Sequence, residues 1–220
     1  KRAKRAAPSA AGSKAGQVPI STPGFDNAPY LSSAHAVTKD PETGIRNIGH
    51  YRSQIKGPDR LACFFSASYK HGLMHWEKAR ARGEDLEVAF IIGAPPVVSY
   101  AAVQKVPFGV DEYDIAGGLA QEPIRLVKCK TVDLEVPADA ELVIEGRIST
   151  AYLEQEGPFG ESHGYVHPRS MCPMVEVTAI THRKNYIFTS FISQVTPSES
   201  SVIKKVGWEP MLPSFLKDTL

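Results

Sequence analysis

Two glutamates stand close together in a segment whose neighbours favour a turn. Residues 154–165 contain Glu156 and Glu161, with two glycines and a proline between them. Such residues favour a turn, which can present both carboxylates to one space. Two acids held close together beside a cation acquire different pKa values, so that one can serve as an acid and the other as a base. This segment is therefore a candidate acid–base site.

A second segment, residues 47–52, carries polar and basic side chains within a strand-like run over residues 45–55. Alternation along a strand puts its residues into two sets on opposite faces, with Asn47, Gly49 and Tyr51 on one and Ile48, His50 and Arg52 on the other. His71, at the start of a predicted helix, and Glu112 are further candidates for chemistry.

Two histidines have the spacing of metal ligands on one helix face. His71 and His75 are four residues apart, but the glutamate that follows the first histidine in a zinc protease is missing from His-Gly-Leu-Met-His. We therefore predict that His75 is a buried, hydrogen-bonded residue. A structural metal site on this pair is the weakest of the functional hypotheses.

Periodicity and turn signals predict the elements that must position these residues. Helices are predicted over residues 70–82, 95–104 and 111–120, and mainly over 199–220. Strands are predicted over residues 45–55, 60–66, 86–92, 124–132, 141–149, 174–182 and 185–193, and the last two are expected to form a hairpin. Because strands outnumber helices and a βαβ rhythm is weak, we predict an α+β domain built on an antiparallel barrel.

Length and composition limit the possible classes. The chain has 220 residues, of which 42% are hydrophobic and 22% charged, as in a globular protein with a core. No apolar run approaches the roughly 18 residues of a membrane-spanning helix. Cys63, Cys129 and Cys172 form no CxxC pair, which favours a reducing, cytoplasmic location over a disulfide framework or zinc site.

The charge is unevenly distributed along the chain. The first 25 residues hold five basic residues and no acidic one, whereas the net charge of the whole chain is +1. Residues 26–220 are therefore mildly acidic, which gives nucleic-acid binding no support. Residues 1–25 are predicted to be a flexible basic tail. Because the chain starts at Lys1 rather than Met, we expect either that something was removed or that the chain is part of something longer.

Taken in order, these segments resemble the UbiD-type family of prenylated-flavin-dependent decarboxylases. The matching pieces are residues 47–52, Lys70-His71, Glu112-Tyr113, and residues 126–129, 133–138, 140–146 and 156–161 with Gly164-Tyr165. The resemblance runs from about Asn27 to Phe215. It implies a split β-barrel similar to that of the flavin reductases, with flanking helices.

The resemblance also implies a metal and a cofactor. Asn47, His71 and Glu112 match the family's ligands of a divalent metal, commonly Mn²⁺, that also holds the cofactor phosphate, and such a donor set suits a hard-to-borderline cation. K⁺ is a further candidate ion. The implied residues around prenylated FMN are Asn47, Ile48, Gly49, His50, Tyr51, Arg52, Lys70, His71 and Glu112.

Three residues match the family's catalytic network. By this resemblance Glu161 would deliver a proton to the carbon that CO₂ has left, and Arg52 would bind the substrate carboxylate. Glu156 would orient Arg52 and tune Glu161. The implied activity is a non-oxidative, reversible decarboxylation of an aromatic or α,β-unsaturated carboxylic acid, with prenylated FMN as the electron sink.

Members of this family are typically about twice as long, so residues 26–220 are expected to be the central domain without the family's N- and C-terminal domains. The resemblance further implies a homo-oligomer in the full-length form and a flavin prenyltransferase that supplies the cofactor. The alternative is a non-catalytic flavin-binding barrel module, or an inactive fragment of such an enzyme. The intact set of Arg52, Glu156 and Glu161 favours the enzyme, whereas the short length favours the alternative.

Overall fold

The computed structural model describes residues 3–6, 18, 20, 24, 26–65, 67–193, 195–209, 213 and 216–217. Within these residues the strands are β1 (Ala3–Ala6), β2 (Tyr30–Leu31), β3 (His35–Lys39), β4 (Arg46–His50), β5 (Ser53–Ile55), β6 (Arg60–Cys63), β7 (Leu86–Ile92), β8 (Leu126–Lys128), β9 (Glu135–Pro137), β10 (Leu142–Glu156), β11 (Phe159–Gly160), β12 (Val166–His167) and β13 (Ser170–His182). The helices are α1 (His71–Ala81), α2 (Pro96–Ala101), α3 (Glu112–Ala120) and α4 (Glu199–Trp208).

The main sheet of the described chain has nine antiparallel strands in the order β2-β5-β6-β13-β10-β7-β3-β4, with β1 paired to β13 beside this path. Strands β4 and β5 are six steps apart in the sheet, although only Tyr51 and Arg52 separate them in the chain. In a flat sheet those steps would span about 29 Å, whereas the connection reaches about 11 Å. The sheet therefore curls into a barrel that is split between β4 and β5.

The sheet is buried on both faces at its centre. On β7, Val88 and Phe90 belong to one core cluster with Trp76 of α1. The alternate residues Ala89 and Ile91 belong to a second cluster that includes side chains of α2 and α3. Helices therefore cover both faces of the central strands, and this packing gives the barrel a rigid frame.

Polar contacts fix the start of α3 against β4. The Asp111 carboxylate caps the helix by accepting a hydrogen bond from the Tyr113 amide at 2.9 Å. Arg46 on β4 donates to Asp111 at 2.7 Å and to Glu135 on β9 at 2.6 Å. This arrangement places Glu112, the first residue of α3, beside the strand that carries the polar segment predicted from the sequence.

The structure confirms the α+β class and the antiparallel sheet. The strand predicted over residues 86–92 has those bounds, and the helix predicted over residues 111–120 is observed as α3 with Asp111 as its cap. The strand predicted over residues 45–55 is instead two strands, because the chain crosses the split of the barrel at Tyr51 and Arg52. The strand predicted over residues 124–132 is also shorter, and covers only β8.

The hairpin predicted between residues 174–182 and 185–193 is wrong, since residues 185–193 form no strand. Both edges of β13 are already occupied, one by β10 and the other by β6 and β1. The later segment binds instead to a loop before β3. Ser33 donates to the carbonyl of Thr189 at 2.5 Å, and Ser32 donates to the carbonyl of Phe191 at 3.0 Å.

The two ends of the chain are described only in part. Most of the predicted tail, residues 1–25, lies outside the described residues, but Ala3–Ala6 pair with Ile180 and His182 of β13. Of the helix predicted over residues 199–220, the structure describes α4 and few residues beyond it. None of the described helices combines the length and hydrophobicity that a bilayer crossing requires.

Candidate active site

A cavity of about 480 Å³ opens at the split between β4 and β5. This volume is in the range of small-molecule and cofactor sites. The site residues predicted from the sequence that line it are Asn47, Ile48, Gly49, His50, Tyr51, Arg52, Lys70, His71, Glu112 and Glu161. The remaining predicted residue, Glu156, lies behind Arg52 and is fully buried.

Arg52 joins the two glutamates that the sequence suggested would meet. Its guanidinium donates to Glu156 through Nε at 2.8 Å and through Nη2 at 3.0 Å, which is a two-point ion pair. Its Nη1 donates to Oε1 of Glu161. Both carboxylates thus meet at one cation, but the segment between them includes the short strand β11 rather than forming a turn throughout.

The two carboxylates differ in exposure. The side chain of Glu156 has no accessible surface, whereas 26% of the side-chain surface of Glu161 is accessible. A fully buried carboxylate needs a fixed partner to remain ionised. Glu156 is therefore placed to hold Arg52, and Glu161 is the carboxylate that can meet a ligand.

Aromatic rings enclose the guanidinium of Arg52. Its central carbon lies 4.0 Å from the ring centroid of Phe64 and 4.9 Å from that of Phe159. The Tyr30 ring lies 4.4 Å from that of Phe159, and burial together with the charge of Glu156 raises the pKa of Tyr30. These rings exclude water, which strengthens the electrostatic effect of the cation on a bound anion.

Glu112 of α3 reaches β4 on another wall of the cavity. Its Oε2 accepts a hydrogen bond from the backbone amide of Ile48 at 2.7 Å. Burial raises the pKa of Glu112 to about 7, and the hydrogen bond from Ile48 opposes that rise. A carboxylate in this state gains from a nearby cation, because a cation would favour its ionised form.

A hydrogen bond connects Tyr51, at the split of the barrel between β4 and β5, to the first turn of α1. Its hydroxyl oxygen accepts a hydrogen bond from the Gly72 amide at 3.0 Å. A Cβ added to Gly49 would collide with the Tyr51 ring, which agrees with the predicted placement of these two residues on one face. This hydrogen bond holds His71, the first residue of α1, at the cavity wall.

Asn47, His71 and Glu112 are a chemically suitable ligand set for a divalent metal. Asn47 is buried, and its Nδ2 has no hydrogen-bond partner in the described part of the chain. Burial and the charge of Lys70 lower the pKa of His71, so its ring is held neutral, as a metal ligand must be. One amide oxygen, one imidazole nitrogen and one carboxylate suit a cation such as Mn²⁺. The described residues contain no cluster of three histidine, cysteine or acidic side chains, and the candidate set differs in including an amide.

Three lysines give the cavity an excess of positive charge. Lys70, Lys105 and Lys204 line it, and no carboxylate of the described residues lies within 4.0 Å of their ammonium groups. Burial, together with the charges of Lys204 and Lys105, lowers the pKa of Lys70. Cations that have no carboxylate partner among the described residues suit an anionic ligand such as a phosphate or a carboxylate.

His75 does not line the cavity. It is buried, and its Nδ1 lies 2.9 Å from the hydroxyl of Thr38, so the predicted hydrogen-bonded core histidine is confirmed. Sequence reasoning missed Lys105, Lys204 and Phe64, which reach the site from distant parts of the chain. No local pattern marks these three residues, and only the fold brings them to the cavity.

The family model described as the UbiD 3-octaprenyl-4-hydroxybenzoate carboxy-lyase Rift-related domain matches residues 18–195. The chain belongs to the UbiD family. A protein of Aquifex aeolicus, described as uncharacterized, is 42% identical over 184 residues, which are 83% of this chain and 37% of that protein. The phenolic acid decarboxylase of Bacillus subtilis is 38% identical over 168 residues, which are 74% of this chain and 35% of that enzyme.

Solved UbiD-class structures share the fold. HmfF from Pelotomaculum thermopropionicum, in complex with FMN, has a TM-score of 0.86 and 38% identity, over 92% of this chain and 44% of HmfF. The vanillic acid decarboxylase of Sedimentibacter hydroxybenzoicus, in its closed form, has a TM-score of 0.80 and 33% identity, over 83% of this chain and 40% of the enzyme. The chain thus spans less than half the length of these relatives.

Proposed function

We propose that residues 26–220 form the central cofactor-binding and catalytic domain of a UbiD-family carboxy-lyase. The observation that carries the proposal is the contact of Arg52 with both Glu156 and Glu161 at the wall of one cavity. Binding a flavin does not by itself require such a network. The reaction proposed is the reversible, non-oxidative decarboxylation of an aromatic or α,β-unsaturated carboxylic acid.

The residues of the cavity suit prenylated FMN, which a dimeric form of HmfF binds. Backbone groups of residues 47–52 and the side chain of Lys70 would hold the cofactor, and Asn47, His71 and Glu112 would hold a divalent metal at its phosphate. Bound prenylated FMN supplies an electron sink for the pair left when the carbon–carboxylate bond breaks, a task for which no amino-acid side chain suffices. The protein must then position the acid, exclude water and move one proton.

Arg52 is placed to bind the substrate carboxylate. A guanidinium has five N–H donors, and Glu156 and Glu161 use three of those on Arg52. Two donors remain, one on Nη1 and one on Nη2, for a carboxylate in the cavity. Phe64 and Phe159 keep water from this contact.

Glu161 is placed to move the proton. Arg52 binds its Oε1, so Oε2 is the oxygen that can carry a proton toward the cavity. When CO₂ leaves, the proton on Oε2 forms the new C–H bond, and solvent returns a proton to the carboxylate. The net change is one carboxylate and one proton converted to CO₂ and the hydrocarbon, which balances without an oxidant or a reductant.

Glu156 is a positioning residue in this scheme. It binds Arg52 at two points, and its full burial prevents it from reaching a substrate. The ion pair fixes the plane of the guanidinium and keeps it from turning all of its donors toward Glu161. Arg52 can therefore serve the substrate and Glu161 together.

Further parts of the proposal concern the whole protein. A flavin prenyltransferase would supply the cofactor, and the full-length form would be a homo-oligomer. The alternative, a non-catalytic flavin-binding module or an inactive fragment, rests on the observation that the chain spans only 37% of the Aquifex protein. The cytoplasmic location and a K⁺ site stay predictions.

The test is to express the chain with a flavin prenyltransferase and Mn²⁺, and to identify bound material by visible absorbance and mass spectrometry. The loaded protein is then supplied with aromatic and unsaturated monocarboxylic acids, and released CO₂ is measured. Bound prenylated FMN with CO₂ release supports the enzyme. Bound cofactor without CO₂ from any acid supports the binding module. Failure to bind any flavin contradicts both the enzyme and the binding module and supports the inactive fragment.

A further inference from the structure

Tyr30 carries a buried hydroxyl that the proposed reaction does not use. It lies on β2 and is fully buried. Its ring lies 4.4 Å from that of Phe159, which lies in turn 4.9 Å from the guanidinium carbon of Arg52. The hydroxyl has no hydrogen bond of full geometry to any of the described residues. Because a buried hydroxyl without a partner costs free energy, this group is a donor in need of an acceptor.

The carboxylate of Glu156 is placed to be that acceptor. Burial raises the pKa of the Tyr30 hydroxyl, and the charge of Glu156 and a contact with its carboxylate raise it further. Arg52 and the Gly157 amide act in the opposite direction. Arg52 binds one lone pair on each oxygen of Glu156. Because a carboxylate offers about four lone pairs, each oxygen can accept one more hydrogen bond.

The proposed reaction requires the two carboxylates beside Arg52 to differ in protonation. Glu161 must carry the proton that it delivers, and Glu156 must stay ionised to keep its two-point pair with Arg52. Burial acts against this requirement, because a carboxylate that loses its hydration favours its neutral form. Glu156 is fully buried, whereas 26% of the side-chain surface of Glu161 is accessible. The two hydrogen bonds from Arg52 oppose the effect of burial, and a third donor to Glu156 would oppose it further.

We infer that Tyr30 is a positioning residue: its hydroxyl donates to Glu156, keeps that carboxylate ionised as the partner of Arg52, and so leaves the proton of the pair on Glu161. This inference rests on the proposed function. Tyr30 does not line the cavity, so it acts only through Glu156. A hydrogen bond to a charged group shifts such a balance by about tenfold or more.

The other titratable groups near the two carboxylates do not take up this proton. Among the described residues, the charge of Glu156 acts on the thiols of Cys63 on β6 and Cys172 on β13. Burial raises the pKa of both thiols, and that of Cys172 reaches about 12, so both are already protonated at neutral pH. Glu161 also faces Lys70, whose charge a change at residue 30 does not alter.

The experiment measures how the effect of Y30F on turnover depends on pH. Y30F removes the hydroxyl and keeps the ring. The wild type and Y30F are loaded with prenylated FMN and Mn²⁺, and kcat is measured from pH 6 to pH 10 with an acid from which the wild type releases CO₂. Near pH 7 we expect kcat of Y30F to be about tenfold lower with KM little changed, because the proton then lies mostly on Glu156.

The deficit of Y30F should disappear at alkaline pH. There few molecules hold the proton at either carboxylate, and the small fraction with the proton on Glu161 no longer depends on competition from Glu156. The ratio of the two kcat values should therefore return toward one, whereas a structural defect lowers kcat by the same factor at every pH. Y113F is the matched control, because Tyr113 is also buried but its hydroxyl donates to the Glu135 carbonyl at 3.3 Å and does not line the cavity. Y113F should leave kcat unchanged at every pH.

A second measurement depends on neither turnover nor the cofactor. Carbon-13 NMR of protein labelled at the glutamate carboxyl carbons reports which carboxylate takes up a proton, and E156Q and E161Q assign the two signals. As the pH falls, the wild type and Y113F should protonate Glu161 before Glu156, and Y30F should protonate Glu156 first. A wild type that protonates Glu156 first overturns the inference without any variant at residue 30.

The outcomes separate this inference from the proposed function. If Y30F keeps the wild-type order of protonation, or lowers kcat equally at every pH, the inference fails and the decarboxylase stands. If Y30F reverses the order but no acid releases CO₂ from the wild type, the role of Tyr30 beside Glu156 stands and the proposed function fails. A reversed order together with a deficit that disappears at alkaline pH supports both.

Discussion

The guanidinium of Arg52 donates two hydrogen bonds to the carboxylate of Glu156, from Nε to Oε1 at 2.8 Å and from Nη2 to Oε2 at 3.0 Å. Almost no surface of either side chain is accessible. The pair lies where the chain crosses from β4 to β5, at the split of the barrel. Each partner offsets the free-energy cost of burying the other, because an isolated charge in that position would lose its hydration without compensation. The same pair orients the remaining donors of Arg52 toward the cavity.

The first prediction is that Arg52→Met destabilises the fold more than the double change Arg52→Met with Glu156→Gln. The single variant leaves a buried carboxylate without its two-point partner, which costs about 3 kcal/mol or more. The double variant removes that charge and should recover part of the loss. Denaturant unfolding of the two proteins at pH 7 measures the difference, and a double variant that is no more stable than the single one contradicts it.

The second prediction is that Glu161→Gln abolishes turnover while prenylated FMN stays bound, because the amide keeps the shape of the side chain but has no acidic proton to transfer. CO₂ release and the absorbance of the bound cofactor measure the two effects separately. Glu154→Gln is the control, since Glu154 pairs with Arg60 and does not line the cavity. Turnover by Glu161→Gln at the rate of the control would remove the proton-transfer role.

The third prediction is that His71→Ala lowers metal and cofactor content together, since His71 is a candidate ligand at the cavity wall. Native mass spectrometry and metal analysis of the protein purified from cells that make prenylated FMN measure both. His75→Ala is the matched control from the same helix face, because His75 binds Thr38 in the core. It should lose stability but retain metal and cofactor, and full retention by His71→Ala would exclude His71 from the ligand set.

The fourth prediction concerns the close contact of Gly49 with Tyr51. A Cβ at residue 49 would displace the Tyr51 ring, and with it the hydrogen bond to Gly72 that holds α1. Gly49→Ala should cost roughly 1–3 kcal/mol of stability and reduce cofactor retention. Gly118→Ala is the control, because that site on α3 opens to space, and it should stabilise the helix by up to about 1 kcal/mol. Equal effects of the two changes would contradict the argument.

Local patterns in the sequence correctly predicted those elements whose formation depends on residues close together in the chain. The strand over residues 86–92 and the helix over residues 111–120 each depend on residues that are neighbours in the chain. The strand expected over residues 185–193 failed because its formation depends on a free edge of β13, which β10, β6 and β1 occupy. Long-range pairing of this kind leaves no periodic signal.

The candidate site also contains residues that could be predicted from the sequence and residues that only the fold brings to it. The family resemblance placed Asn47, His71 and Glu112 at one cavity, and the structure does line that cavity with all three. Lys204 could not be foreseen, because its place in the cavity depends on how α4 returns to the turn that contains Ser162. Lys204 is exposed, as an isolated lysine on a helix usually is, although it also lines the cavity.

The fifth prediction is that the fold loses stability between pH 7 and pH 5 because of buried histidines. Burial and the nearby His50 lower the pKa of His35 to about 3, and burial lowers the pKa of His75 to about 4. In the unfolded chain both pKa values are near 6.5. The unfolded state therefore takes up protons first as the pH falls, and each histidine removes on the order of 1.4 kcal/mol per pH unit below 6.5.

Chemical denaturation at several pH values tests this relation. The stability that the neutral rings contribute is complete above pH 6.5 and is lost progressively as the pH falls toward 4. His35→Gln cannot take up the proton, so it should flatten the dependence of the unfolding free energy on pH. The exposed His163, changed to glutamine, is the control and should leave the slope as it is. If His35→Gln retains the full slope, the buried imidazole is not what makes the fold sensitive to acid.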